Sequence, residues 1–381
     1  MRILLTISAI ELCLFGSGQV VALNGISIRM LLYGMTLGLT FFRFKYDQFA
    51  IRLSAVFLMI SILSAAIGVL NDAQIGLILN DVKPIIFFLY IVPLAHFMYN
   101  QKNIELLKKV FSYCGIILAG IYLVYYFFLS DQLFVKFIII YLESIGELFR
   151  RSEVAFIYKS FLVLVFSFYF IIYSKMKLRW VFAAIVILAC VLTFTRGYIL
   201  ALLGSFFLLS AIEVLYSFRV KLGVIYIAVV IAGVLAFNLP AIIGFYGGDK
   251  EKSDSTRYLQ IEEVTEMISP NSILIGHGFG IGTEHRQEHM EIAFLEIFHK
   301  QGVIGLLFWV GLLFLSIWYY LKSKERDQIY LKPFMLTILA IYVISLTNPY
   351  INNSIGLFPF LSSLLVLKNY YDKNFGMHSD L

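Results

Sequence analysis

The sequence predicts an all-α integral membrane protein, a bundle of about twelve transmembrane helices carrying one large polar loop on its outer face. Three observations lead there. Charged residues make up 14% of the chain and hydrophobic ones 60%, with a mean hydropathy of +0.87, whereas a soluble domain carries about 25% charged residues. So few charges do not cover a water-facing surface. Apolar runs near the ~20 residues needed to cross a bilayer recur throughout the 381 residues. Every second segment between those runs is basic.

The runs fall at 3–22, 26–42, 53–70, 83–99, 110–129, 154–173, 180–195, 197–216, 221–239, 302–321, 333–347 and 355–368. They divide the chain into a membrane bundle of nine spans over 1–239, a large loop over 240–301, and three last spans with a tail over 302–381. Arg43, Lys45 and Arg52 fall in one loop. Lys102, Lys108 and Lys109 fall two loops later, then Lys175, Lys177 and Arg179, then Arg219 and Lys221, then Lys322, Lys324, Arg326 and Lys332. With Arg2, Lys368 and Lys373 these are 18 of the 30 lysines and arginines. The positive-inside rule therefore places both termini in the cytoplasm and the long loop on the other side, the periplasmic side in a bacterium. The net charge of +6 belongs to this orientation signal and does not indicate nucleic acid.

The N-terminus has the flavour of a signal peptide, but Glu11 interrupts its apolar core and no A-x-A site follows. It reads as a retained first span. Cys13, Cys114 and Cys190 lie inside apolar runs, with no disulfide framework or cysteine metal site.

Several features stand out on the outer side. Residues 131–153 alternate apolar and charged positions, as an amphipathic connector or a helix lying in the interface does. Trp180 to Ile212 is apolar except for Arg196 and is too long for one crossing at ~1.5 Å per residue. Thr195-Arg196-Gly197 is thus read as the outer turn of a tight helical pair. An arginine at that depth marks a site or snorkels to lipid phosphates. Residues 348–354, NPYINNS, read as a polar turn. Glu11 and Lys159 are further charges within apolar runs.

The polar loop and its edge, Asp249 to Gly305, hold four of the six histidines. Gly276-His277-Gly278-Phe279-Gly280-Ile281-Gly282 superficially suggests a dinucleotide loop, which requires a βαβ unit. On the outer face of a bundle it reads instead as a tight re-entry turn whose glycines let backbone approach backbone. His285-Arg286-Gln287-Glu288-His289 fits the inverted zinc-peptidase pattern, but no third ligand follows at a family-like position. A membrane metallopeptidase is accordingly a minor reading, and no metal or other cofactor is expected.

Glu291-Ile-Ala-Phe-Leu-Glu296-Ile-Phe-His-Lys-Gln-Gly302-Val-Ile-Gly305 leads straight into a span. Together with Ser255-Thr-Arg257, the GHGFG turn and Thr195-Arg196-Gly197, it resembles the bacterial O-antigen polymerase and O-antigen ligase superfamily. There a long outer loop carries an arginine, then an apolar-G-x-G-F-G turn, then a short helix ending E-x-G-x-x-G. The ligase branch has a histidine eleven residues before the first of those last glycines. Glu291 stands there in this chain, with His289 two residues earlier, a change that favours a polymerase over a ligase.

The resemblance implies a substrate, an oligosaccharide on undecaprenyl diphosphate at the outer leaflet of the inner membrane, and glycosyl transfer as the reaction. The departing diphosphate needs its charge neutralised. The sequence contains no D-x-D pair for a metal, so arginines, which bind phosphate in bidentate fashion, take that role. Arg196 and Arg257 come first, with Arg286 in reserve. The attacking hydroxyl needs a base, for which Glu291 and His289 are the candidates. The partners implied are the lipid-linked oligosaccharide, the bilayer and a possible chain-length regulator protein. The fold expected is loosely like the GT-C membrane glycosyltransferases. O-antigen ligation is the first alternative. A lipid-linked oligosaccharide flippase is the second, although two related halves are not seen.

Overall fold

The computed structural model describes residues 1–20, 22–23, 26–43, 47–152, 154–217 and 250–376. Eleven of the twelve apolar runs coincide with helices, and the ninth, 221–239, lies outside the described residues. In chain order the first helices are α1 (Arg2–Leu14), α2 (Ile28–Arg43), α3 (Gln48–Leu70), α4 (Ile75–Ile85), α5 (Ile91–Met98) and α6 (Gln101–Val124). A short helix α7 (Leu133–Ser144) and an antiparallel hairpin, Leu148–Arg150 with Phe156–Tyr158, precede α8 (Leu162–Ile172), α9 (Arg179–Leu192) and α10 (Arg196–Ser217). The last third holds α11 (Lys250–Glu266), α12 (Pro270–Ile275), α13 (Ala293–Lys322), α14 (Glu325–Ser345) and α15 (Ser354–Phe375).

Six helical stretches among the described residues are long and apolar enough to cross a membrane. They are Gln48–Leu70, Ile75–Met98, Gln101–Leu129, Arg196–Tyr216, Ala293–Lys322 and Asp327–Ser345. Ile28–Phe42, Lys159–Ile172 and Arg179–Leu192 are shorter apolar helices. Local chemistry sets the ends. Asp47 accepts a hydrogen bond from Ala50 N at the start of α3, and Asn353 accepts from Ile355 N and Gly356 N at the start of α15, each satisfying donors that a helix N-terminus leaves open. Pro84 has no N–H to give, and α4 passes within two residues into a 3-10 turn over Ile86–Tyr90.

The core lies around the last two helices. Every residue of α15 from Ser354 to Lys368 is buried, as an apolar-all-round helix requires. Facing it, α14 buries Leu331 and the run from Phe334 to Ile344.

Two segments differ from expectation in detail. The first helix stops at Leu14, well short of the run 3–22. Glu11 and Arg29 form a buried ion pair, with Arg29 Nε 2.9 Å from Glu11 Oε2, and Arg29 Nη2 donates to the Gly16 carbonyl at 2.7 Å. That demand turns the chain at Gly16. The 131–153 connector forms α7 and one strand of the hairpin, and α7 leaves Leu133, Phe134, Phe137, Ile140 and Tyr141 exposed. The turn between α9 and α10 is as tight as expected, closed by Phe194 at φ 52°.

Candidate functional site

The site is built where the long loop returns to the bundle. Ser269 caps α12 through a reciprocal bond with Ser272, and Gly276 ends that helix at φ +75°. The glycine turn then passes between α3 and the first turns of α13. His277 N donates to His299 O at 2.8 Å, Gly278 N to Lys300 O at 3.1 Å, and Phe279 N to Ser64 O at 2.9 Å. A Cβ on Gly278 would lie 2.1 Å from Gly68 N, so only glycine permits this approach. The segment is a backbone-to-backbone turn that follows helix α12 directly, not a strand, and so does not make a dinucleotide unit. Opposite it, Gly302 at φ 64° kinks α13, which sets the short segment from Ala293 to Gln301 apart from the long span.

Beneath the turn lies a buried ionic cluster. Asp81 of α4 accepts from Gly280 N at 2.7 Å through Oδ2 and from Lys300 Nζ at 2.6 Å through Oδ1. Lys300 also donates to Glu296 Oε1 at 2.8 Å and to the Glu288 carbonyl at 2.6 Å. An ammonium has three donors, and all three are engaged. Glu296 turns Oε1 to His289 Nδ1 at 3.3 Å and accepts from Asn352 Nδ2 at 3.3 Å through Oε2. His289 Nδ1 is also 3.9 Å from Asp81 Oδ1. The hydrogen bond that His289 donates to Glu296 raises the His289 pKa, burial opposes it, and the Glu296 charge adds to the rise. A small recess of about 20 Å³ opens here, lined by Asp81, His289, Glu296, Lys300 and Asn352 among others.

A second ionic group lies along the loop. Helix α11 presents Arg257 and Gln260, one turn apart, to residues 283–292. Arg257 Nε lies 3.0 Å from Glu291 Oε2, and Arg286 Nη2 lies 3.3 Å from Glu291 Oε1. Gln260, fully buried, accepts from Glu291 N at 3.0 Å. Arg286 Nη1 donates to the His289 carbonyl at 3.4 Å, joining the second group to the first. Arg257 Nη2 donates to the Thr347 carbonyl at 3.3 Å.

Arg196 is exposed at the start of α10. Its neighbour Gly197 lies against the same segment that Arg257 touches, since a Cβ there would be 3.3 Å from Thr347 Oγ1 and 3.2 Å from Asn348 Nδ2. Tyr198 and Tyr350 pair their hydroxyls at 3.0 Å beside it. Residues 347–353 thus form a shared wall for α10, α11 and α13, more than the simple turn expected.

Arg257, Arg286, Glu291 and His289 are therefore brought together, whereas Arg196 is exposed and only its neighbour Gly197 packs on the Thr347–Asn348 segment that Arg257 also touches. The inverted zinc-peptidase reading lacks its geometry. Residues 283–292 form no helix, His285 pairs with Glu263, and Glu288 accepts from Asn80 at 3.2 Å. Asp81, His289 and Glu296 do offer three ligand atoms within 4.8 Å of one another, but Lys300 already bonds both carboxylates, at Asp81 Oδ1 and Glu296 Oε1.

Asp81, Lys300 and Asn352 were not legible as site residues. Asp81 hides at the edge of an apolar run. Lys300 had a signal, since it stands where the family pattern E-x-G-x-x-G carries its glutamate.

Known proteins match this region and the chain around it. Residues 181–310, which include every site residue above except Asp81 and the 347–353 segment, match the O-antigen ligase family. The chain is 29% identical over 376 residues to an O-antigen polymerase of Shigella flexneri, with 94% of this chain and 92% of that relative covered.

Proposed function

We propose that the chain is a member of the O-antigen polymerase and ligase superfamily, to which it is similar, and that it is an O-antigen polymerase, a multi-pass glycosyltransferase of the bacterial inner membrane. The match to a polymerase along nearly its whole length carries this reading. In our reading twelve spans form a GT-C-like bundle with both termini in the cytoplasm, and the 240–301 loop covers the site on the periplasmic face. The substrates are oligosaccharide repeats on undecaprenyl diphosphate, and a chain-length regulator is a candidate partner.

The reaction moves a growing chain onto a new repeat. A hydroxyl of the new repeat attacks the anomeric carbon of the chain, and its proton passes to a base. The bond from that carbon to the diphosphate oxygen breaks, and the electron pair leaves with the lipid diphosphate. Preorganised cations facing that developing charge lower the barrier by roughly 3 kcal/mol each. Arg257 and Arg286 stand closest to the candidate bases, and Arg196 extends the cationic surface. Of Glu291 and His289, we assign the base to His289. Its Nδ1 is held by Glu296, which orients the ring and leaves Nε2 for a substrate proton. Glu291, facing two guanidinium groups, organises the arginines. Lys300 supplies positive charge next to the carboxylates without a metal, which supports metal-independent transfer.

Ligation to another acceptor is the second reading, favoured by the family match over 181–310. Complementation separates the two. In a polymerase-null strain, this gene restores a ladder of surface polysaccharide, and Arg257→Ala leaves single repeats. Single repeats with the intact gene, in a host that supplies the matching repeat, would overturn polymerisation.

A further inference from the structure

The Asp81–Lys300–Glu296 cluster is more completely built than orienting one histidine requires. Its three charged side chains come from two helices and are almost fully enclosed, at 3% exposure for Asp81 and Lys300 and 6% for Glu296. A buried carboxylate pair is costly unless a cation offsets it. The arrangement has a second property. Asp81, Glu296 and His289 each offer one ligand atom within 4.8 Å of the others, and His289 Nδ1 lies 3.9 Å from Asp81 Oδ1 and 3.3 Å from Glu296 Oε1, a donor set that divalent transition metals accept. The Lys300 ammonium bonds the same two oxygens, at 2.6 and 2.8 Å. Two cations do not share that space.

We propose that the Lys300 ammonium is the resident cation of this site, standing where a divalent metal would otherwise sit among Asp81, Glu296 and His289, and that from there it positions His289. The third Lys300 bond makes the second half of the proposal specific. It goes to the Glu288 carbonyl at 2.6 Å, the residue before His289. One ammonium thus ties α4, α13 and the 283–292 loop at a single point. Lys300 lines the recess, but its three ammonium donors are all spent on protein oxygens, so it acts through His289 and is a positioning residue. This clause rests on the polymerase reading, whereas the cation clause does not.

The test uses the full-length protein in detergent, titrated with Co²⁺ and followed by its visible d–d absorption. Wild type is expected to give no bands from imidazole and carboxylate ligation. Lys300→Ala, which vacates the position and removes the competing charge, is expected to give them. The Lys300→Ala/Asp81→Asn and Lys300→Ala/His289→Gln proteins are expected to lose them. Lys300→Met, which fills the volume without charge, is expected to bind no cobalt and to lose ladder formation in cells. Cobalt bands in wild type overturn the proposal, as does their absence from a monodisperse Lys300→Ala protein. A ladder of normal length with Lys300→Met overturns the positioning clause. If Lys300→Ala does not fold, wild type decides the cation clause, since rapid modification of His289 by diethylpyrocarbonate that Co²⁺ blocks would overturn it, and modification that Co²⁺ leaves unchanged would support it. Failure of the wild-type gene to restore any ladder overturns the polymerase reading alone and leaves the cobalt result standing.

Discussion

His289 Nδ1 lies 3.3 Å from Oε1 of Glu296, a carboxylate that Lys300 and Asn352 also hold. The bond to Glu296 favours the imidazolium and raises the His289 pKa against the opposing effect of burial. A protonated His289 takes no proton, so chain formation should rise with pH through this raised value. The midpoint of that limb is expected above the ordinary histidine value of about 6.5. Glu296→Gln removes the partner and should move the limb to lower pH. The ion pair acts on stability in the opposite sense. Its contribution is complete below about pH 6.5 and is lost as pH rises through the folded value. Rates of polymer formation in right-side-out vesicles across this range check both variants. A limb centred below 6.5, or one that Glu296→Gln leaves in place, would count against His289 as the base.

The two arginines on Glu291 are expected to differ in weight. Arg257 is the more enclosed, its side chain 26% exposed against 43% for Arg286, and it bridges α11 to the 347 segment. Loss of one preorganised cation costs on the order of 100-fold in rate, which is the expectation for Arg257→Ala. Arg286→Ala should cost less. Glu291→Gln distinguishes organiser from base. An organiser weakens substrate binding and raises KM, whereas loss of a general base lowers kcat by roughly 100-fold or more. We expect the first, measured with purified lipid-linked repeats.

The membrane class and the positions of the helices were legible because hydropathy is a local property of the sequence. The glycine turn was legible for the same reason, as a run of residues whose positive φ angles only glycine adopts easily. What was not legible depends on contacts between distant segments. Asp81 and Lys300 are 219 positions apart, and neither residue taken alone names the other as its partner. Glu11 was noticed as a charge in an apolar run, but its partner Arg29 lies beyond the turn that ends α1. Asn352 looked like a turn residue until α13 brought Glu296 beside it. Pairing across the fold, not composition, turns these residues into a site.

Gly278→Ala should damage the fold before it touches chemistry. The residue sits at φ +91°, and a Cβ would meet Gly68 N at 2.1 Å, backbone against backbone. The dihedral alone costs about 1–3 kcal/mol, and the clash forces α3 and the turn apart. Less folded protein and a lower melting temperature in detergent are expected. Gly38→Ala is the control. Nothing lies within 4 Å of a Cβ there, and in a helix alanine is favoured over glycine by about 1 kcal/mol. A Gly278→Ala protein as stable as this control would refute the close approach.

The Glu11–Arg29 pair supports the site from the far side of the 347–353 segment. Arg29 Nη1 donates to Ser354 Oγ at 2.9 Å, two residues after the Asn352 that holds Glu296. Both charges are buried, Arg29 at 2% exposure and Glu11 at 8%. Removing one member strands the other without a counter-ion, which costs about 3–5 kcal/mol, while replacing both with apolar residues of similar volume is often tolerated. Glu11→Gln should therefore lower the melting temperature sharply, and Glu11→Leu/Arg29→Met should restore much of it. The double variant loses the bond to Ser354, so a stable protein with shortened polysaccharide chains is the expected result. Normal chains from that protein would mean that Asn352 keeps its position unaided.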